Sequence, residues 1–262
     1  MSTLNVLISH LSAAAVQEQL AALRALAPVS RFVLAFGGEA AEYAHIDERD
    51  KVLLDDPALR AAARSHQSYT VILTSVFERW LAAEPKLDAL YLFEFDHLIL
   101  RPEFEERLRT LARATGAGFM GKNASPRHCT NWHHYTRFRR DAALLDHLAR
   151  VTVRSERGAM YGTLGNGMWF TRAAVESYLG AGPHPRCYGE LYVPTLLHHV
   201  GHQVVDIDAH SRLYDHVRYE PQYTAAEVET LAGAGAAFIH PVKDAAVRVA
   251  ALRRASAGKG DG

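Results

Sequence analysis

Two carboxylates, Glu94 and Asp96, interrupt the stretch LYLFEFDHLIL (residues 90–100), a run apolar enough to be a buried strand. Alternate side chains of a strand share a face, so the spacing predicts that both acids point the same way. Unpaired carboxylates are expensive in a core, so a positive charge is expected opposite them. Hard oxygen ligands suit Mg or Mn, ions that bring phosphate oxygens as further ligands. The plainer alternative is that Asp96 caps a turn while Glu94 pairs with an arginine such as Arg101.

Three other stretches carry chemistry-bearing residues. YGELYVPTLLHHVG (188–201) reads as a helix with Pro194 in its first turn, placing Glu190 at or before the N-terminus. The helix dipole favours the ionised acid there, either as a cap or as a general base. In GTLGNGMWF (162–170), Gly162, Gly165 and Gly167 precede an expected strand. The lysine and Ser/Thr of a phosphate loop are missing, so these glycines form a tight turn or admit backbone close to a ligand. His240 ends a short apolar strand, with Lys243 nearby as a partner for phosphate.

Other signals are weaker. His198 and His202 have a zinc-binding spacing, without the intervening glutamate of a metalloprotease. His128, His133 and His134 surround Trp132 in a polar loop. Aromatic rings stack on sugars, so Trp132 and His134 are candidate ligand contacts, with plain surface exposure as the alternative. No serine lies in a nucleophile elbow, and neither Cys129 nor Cys187 has a local catalytic signature.

The elements that must position these residues alternate between short apolar runs and helical patterns. NVLIS, RFVLAFGG, KVLLDD, the acid-bearing run and GAGFMGKN read as strands, and the periodic segments between them as helices. This order predicts a mostly parallel sheet with helices on both faces. Residues 1–254 are expected to form one domain with two halves (1–115 and 116–254), followed by a disordered tail at 255–262.

The 262 residues suffice for a sizeable core, and 48% hydrophobic with 22% charged residues is ordinary for a globular protein. A formal net charge of zero gives no footing for a nucleic-acid partner. The start MSTLNVLISH lacks a signal-peptide pattern, and no window approaches the ~18 apolar residues of a transmembrane span. Two cysteines are too few for a disulfide scaffold, and reduced thiols in a cytoplasmic protein are expected. Neutral charge says nothing of oligomeric state.

Taken in order, these motifs resemble a nucleotide-sugar-dependent glycosyltransferase of the GT-A fold, a single Rossmann-like α/β domain. LYLFEFDHLIL is similar to the strand ending in that family's DxD motif, with Glu94 in place of the first aspartate and Asp96 keeping the last. GNGMWFTRAAVESYL is similar to the turn, strand and helix that shape the donor-sugar pocket, which implies Gly165, Asn166 and Gly167 there. GELYVPTLLHHVGHQVV is similar to the acidic helix-start motif, and IHPVK to the C-terminal histidine that completes the metal site.

The resemblance implies a divalent metal, Mn or Mg, on Glu94, Asp96 and His240. It implies Lys243 on a phosphate of a nucleoside-diphosphate sugar and Glu190 as the base on an acceptor hydroxyl, giving inversion. Glu39 or Glu42, after the second strand, is the candidate reader of the nucleotide base. Glu190 is followed by Leu191 where inverting members commonly carry a second acid. A sugar nucleotidyltransferase shares the sheet and the metal, but its glycine-rich basic loop is missing from ISHLSAAAVQEQL. A non-catalytic GT-A-like domain that binds a carbohydrate or a partner, and a zinc hydrolase using the histidines, are the other readings.

Overall fold

The structure, a computed structural model, describes residues 2–54, 68–128, 130–156 and 158–257. Its strands are β1 (Ser2–Ser9), β2 (Arg31–Phe36), β3 (Lys51–Leu53), β4 (Leu87–Glu94), β5 (Leu98–Ile99), β6 (Ala117–Pro126), β7 (Tyr161–Thr171), β8 (Gln203–Asp206) and β9 (Phe238–Ile239). The helices used below are α1 (Ala13–Leu26), α2 (Ala40–His45), α3 (Ser68–Val76), α4 (Phe104–Thr115), α5 (His133–Phe138), α6 (Ala142–Val151), α7 (Arg172–Gly180), α8 (Gly189–His199), α9 (Ile207–His210), α10 (Ala225–Gly233) and α11 (Ala245–Ala257).

Among the described residues, seven strands form one sheet in the order β3-β2-β1-β4-β7-β6-β8. All run parallel except β7, which is antiparallel to both β4 and β6. The expected fold class, a single Rossmann-like α/β domain with a mostly parallel sheet, is borne out. Both halves of the chain contribute to this one sheet, and it is covered on both faces. Leu7, Tyr91 and Phe93 pack with Val16 and Leu20 of α1, Leu108 of α4 and Leu252 of α11. Their neighbours Val6, Leu90 and Leu92 join Ile72 of α3, Val175 of α7 and Leu196 of α8. A strand buried on both faces cannot alternate polar and apolar residues, which is why these runs are almost unbroken in hydrophobicity.

The strand order reverses direction between β1 and β4, where Ile8 pairs with Glu94. Diverging connections leave a crevice beyond the carboxyl ends of the strands at such a point. A separate two-stranded ribbon pairs β5 with β9, Leu98 opposite Ile239 and Ile99 opposite Phe238. Through it the chain's last strand is held against the turn that follows β4.

Several expectations need correction. Glu94 and Asp96 do not share a strand face. β4 ends at Glu94, the His97 amide closes a turn on the Glu94 carbonyl (3.0 Å), and Asp96 lies in that turn. The glycine segment is no turn either, since β7 runs unbroken through Gly162, Gly165 and Gly167. Helix α8 starts at Gly189, which puts Glu190 inside its first turn and Pro194 beyond it. The loop around Trp132 contains the short helix α5. Helix α11 continues through Ala257, so the first residues of the expected tail are helical, and 258–262 lie outside the described residues. Cys187 is a buried free thiol, and Cys129 lies outside the described residues. Among the described residues no helix is long and apolar enough to cross a membrane.

Behind α7 and α8, two histidines share one hydroxyl. His184 Nδ1 and His147 Nε2 lie 2.8 and 2.9 Å from Tyr192 Oη. Burial pushes His184 down to about 4, with the neighbouring His147 adding to it, and burial lowers His147 as well. The unfolded chain takes up these protons below about 6.5 while the native state refuses them. Stability is therefore complete above pH 6.5 and falls as the pH drops toward 4. With allowance for solvent screening, about 1 kcal/mol or roughly 2–4 °C of Tm should be lost between pH 7.5 and 5. Thermal unfolding of the wild type and of a His147→Asn/His184→Asn variant checks this, since the variant should show a flatter pH profile.

Candidate active site

At the carboxyl end of the sheet, five segments of chain converge on a cavity of about 190 Å³. The end of β4 supplies Glu94, the following turn Asp96, β7 Leu164, Gly165 and Asn166, and α8 Glu190. The segment after β9 supplies His240, Pro241 and Lys243, and Tyr219 stands at the same cavity. Of the residues singled out in the sequence, Glu94, Asp96, Gly165, Asn166, Glu190, His240 and Lys243 are thus brought together. A second cleft of about 510 Å³ opens beyond β1, β2 and β3, lined by Ser9, His10, Gly38, Glu39 and Tyr69, and Glu94 borders both. A larger cavity, about 890 Å³ between α4, α10 and α11, is lined mainly by alanines and arginines and holds no such convergence of acid and imidazole groups.

Asn166 ties two of the segments together. Its side-chain oxygen accepts from the Glu94 amide at 3.1 Å, and its Nδ2 donates to Asp96 Oδ1 at 3.3 Å. The Val242 amide donates to the Asp96 carbonyl at 2.9 Å, joining the Asp96 turn to the strand-end segment. From behind, the guanidinium of Arg248, buried in α11, donates from Nη1 to the carbonyls of Val242 (2.9 Å) and Lys243 (2.7 Å).

His240 has one defined tautomer when neutral. Its Nδ1 donates to the Arg218 carbonyl at 2.7 Å, which leaves Nε2 facing Asp96 Oδ1 at 3.4 Å. An imidazole lone pair and a carboxylate oxygen would repel at that distance, so a proton or a cation belongs between them. Burial pushes the Asp96 acid upward, but the hydrogen bond and charge of His240 outweigh it and hold the group below the usual carboxylate range. This pair suits a divalent cation in donor chemistry. Among the described residues no three His, Cys, Asp or Glu side chains converge closely enough to hold a metal ion. Asp96 and His240, with Glu94 alongside, are the side chains that could contact a cation here.

Glu94 differs from Asp96. Burial, followed by the charge of Asp96, pushes it up to about 7. Glu190 is also raised by burial, against the opposing pull of hydrogen bonds from the Gly165 amide and the Tyr188 hydroxyl. The Gly165 amide reaches Glu190 Oε1 at 2.9 Å, and Tyr69 Oη donates to the Gly165 carbonyl at 2.9 Å. A Cβ at Gly165 would lie 2.7 Å from Glu190 Oε1 and closer still to Tyr69 Oη, so only glycine admits both groups. Gly167 has φ +72°, and its carbonyl accepts from Tyr214 Oη at 2.6 Å. The glycines thus let protein side chains close on the strand next to the cavity, a use of backbone access that the sequence could not distinguish from ligand approach.

The remaining candidates divide. Glu39 lies at the start of α2 on the larger cleft, whereas the Glu42 carboxylate accepts from the Ala13 amide (2.7 Å) at the start of α1 and is structurally engaged. Trp132 and His134 do not line the small cavity. They form a wall behind Tyr188, His134 stacked on the Tyr188 ring at 3.5 Å and Trp132 6.3 Å from it, with the Arg127 guanidinium over Trp132 at 5.0 Å. His198 and His202 do not meet in a ligand set, and His198 faces Glu156 at 3.7 Å. Sequence reasoning missed Tyr69, Tyr188 and Tyr219. Tyr188 directly precedes the acidic helix start and was within reach of it, but Tyr69 and Tyr219 carry no local pattern.

No protein-family model and no curated protein matches the chain. Among solved structures it is similar to the galactosyltransferase LgtC, crystallised in complex with donor and acceptor sugar analogues. The two are 8% identical over 97% of this chain and 95% of that one, with a TM-score of 0.45.

Proposed function

We propose that this chain is a glycosyltransferase that moves a sugar from a nucleoside-diphosphate sugar to an acceptor hydroxyl. The observation that carries the reading is the convergence of Asp96, His240, Glu94, Glu190 and Lys243 on one cavity at the carboxyl end of the sheet, next to a second cleft at the strand-order reversal. The larger cleft has room for a nucleoside, with Glu39 at its edge to accept from the base. The smaller one receives the diphosphate and the sugar. The 1–115 half then binds the nucleotide and the 116–254 half shapes the acceptor side.

Asp96 and His240, with Glu94 beside them, would hold a divalent cation, Mn or Mg, which neutralises charge on the departing diphosphate. Lys243 meets a phosphate oxygen as a point charge. Asn166 keeps Asp96 and the end of β4 in register. Glu190, with an affinity for protons raised by burial, takes the proton of the acceptor hydroxyl as that oxygen bonds to the anomeric carbon. The bond from the anomeric carbon to the phosphate oxygen breaks, and its electron pair leaves with the nucleoside diphosphate. Direct displacement of this kind inverts the anomeric centre.

Thermal unfolding against a panel of nucleoside diphosphates, with and without manganese, tests the donor side. A ligand at about a hundred times its Kd stabilises the native state by ~2.7 kcal/mol, a readable rise in Tm. One diphosphate is expected to raise Tm, and only with the metal present. No shift for any member of the panel would remove the basis of this reading.

A further inference from the structure

Tyr219 is 74% exposed and stands at the cavity that holds Glu94, Asp96 and Glu190. Single aromatic rings on a surface need no explanation, but the anchoring of this one is informative. Its neighbour Arg218 donates from its amide to the His240 carbonyl at 3.0 Å and accepts from His240 Nδ1 at 2.7 Å. The Arg218 guanidinium lies 3.7 Å from the centre of the Tyr223 ring, and its Nε donates to the Pro221 carbonyl at 2.7 Å. The segment is therefore fixed to the candidate cation ligand, and the Tyr219 ring is left in water at the mouth of the site.

Glu190 has a second phenol as its partner. The Tyr188 hydroxyl donates to Glu190, and its ring is fixed by the stacked His134. The cavity beside Tyr219 mixes the carboxylates and the Asn166 amide with apolar groups such as Leu164 and Pro241. A pyranose matches that combination, with an apolar C–H face for an aromatic ring and a rim of hydroxyls for the acids and amide. A long lipid acceptor would require a continuous apolar trough, whereas the residues beside Tyr219 are Arg218, Glu220 and, across the cavity, Lys243.

Resting on the transferase reading, we infer that Tyr219 is a wall of the acceptor subsite and that the acceptor is a carbohydrate. One of its pyranose rings lies on the Tyr219 ring while a hydroxyl reaches Glu190. The phenyl ring supplies the contact, so Tyr219→Phe retains it and Tyr219→Ala removes it.

The test applies labelled wild type, Tyr219→Ala and Tyr219→Phe to a printed glycan array, in manganese and the nucleoside diphosphate that stabilises the wild type, with the thermal shift of each recorded in parallel. Wild type and Tyr219→Phe should retain the same glycans, with retention by Tyr219→Ala lower by about tenfold or more. Wild type and Tyr219→Phe should keep the metal-dependent diphosphate shift, and a Tyr219→Ala variant that loses it would place the ring on the donor side and overturn the inference. Retention by Tyr219→Ala within about twofold of wild type overturns the inference. So does a wild type that shows the diphosphate shift yet retains no glycan. Loss of the diphosphate shift in the wild type itself sinks the transferase reading, and this inference with it.

Discussion

Asp96→Ala is expected to abolish the manganese-dependent stabilisation by nucleoside diphosphate and to lower donor turnover by about a thousandfold. Electrostatic stabilisation of a departing diphosphate is worth several kcal/mol, and each 1.36 kcal/mol is about a factor of ten in rate. Asp96 is the acid to test first because His240 Nε2 faces its Oδ1 at 3.4 Å and holds it ionised, whereas Glu94 is pushed up to about 7. The fold should tolerate the change. The bond from Val242 reaches the Asp96 backbone carbonyl, which alanine keeps, and only the Asn166 amide and the His240 ring lose a side-chain partner. That loss costs about 1–3 kcal/mol, which urea denaturation would measure. Release of nucleoside diphosphate from the donor sugar reads the rate. Unchanged metal-dependent turnover in Asp96→Ala would show that the cation, if used, is held elsewhere.

Glu190→Gln separates binding from chemistry. Glutamine is nearly the same size, and its side-chain oxygen can still accept from the Gly165 amide, so α8 and β7 keep their contact. What disappears is the capacity to take a proton. General base catalysis contributes about 10²–10⁴-fold, so transfer to the acceptor should fall by that factor. The metal-dependent diphosphate shift should stay at its wild-type size. Single-turnover transfer and thermal unfolding on the same preparation make the comparison. A Glu190→Gln enzyme within about threefold of wild type would assign the base role elsewhere. Retention of configuration in the wild-type product would exclude direct displacement assisted by Glu190.

The fold was legible where burial on both faces left unbroken apolar runs. β1, β2 and β4 could be read this way, and so could the helices between them. The same property misled at the end of β4. The apolar run continues past Asp96 as Leu98, Ile99 and Leu100 because these residues begin a second small sheet, and hydrophobicity does not mark the turn between the two. In β7 the glycines suggested a turn because nothing local announces that other side chains, Glu190 and Tyr69 at Gly165 and Tyr214 at Gly167, occupy the space a Cβ would need. Glu190, Asp96 and His240 were recognisable as polar groups at the ends of apolar elements. Their mutual distances depend on pairing across the sheet and the ribbon, which no local pattern records. Tyr219 had no such flag, since a tyrosine in an irregular segment has neither period nor partner in the sequence.

The β5–β9 ribbon also bears on the order of events as the chain matures. Asp96 and His240 are separated by more than half the sequence, and closing so large a loop is entropically costly until the intervening strands have docked. During synthesis, β1 to β4 can pair, and the crevice for the nucleoside can take shape, well before Phe238 has emerged. The imidazole and Lys243 arrive only with the last strand, so an incomplete chain would carry the acids without the groups that balance them. Catalytic competence would then trail compaction, and a nascent protein could be folded across most of its sheet yet still inert toward an activated sugar.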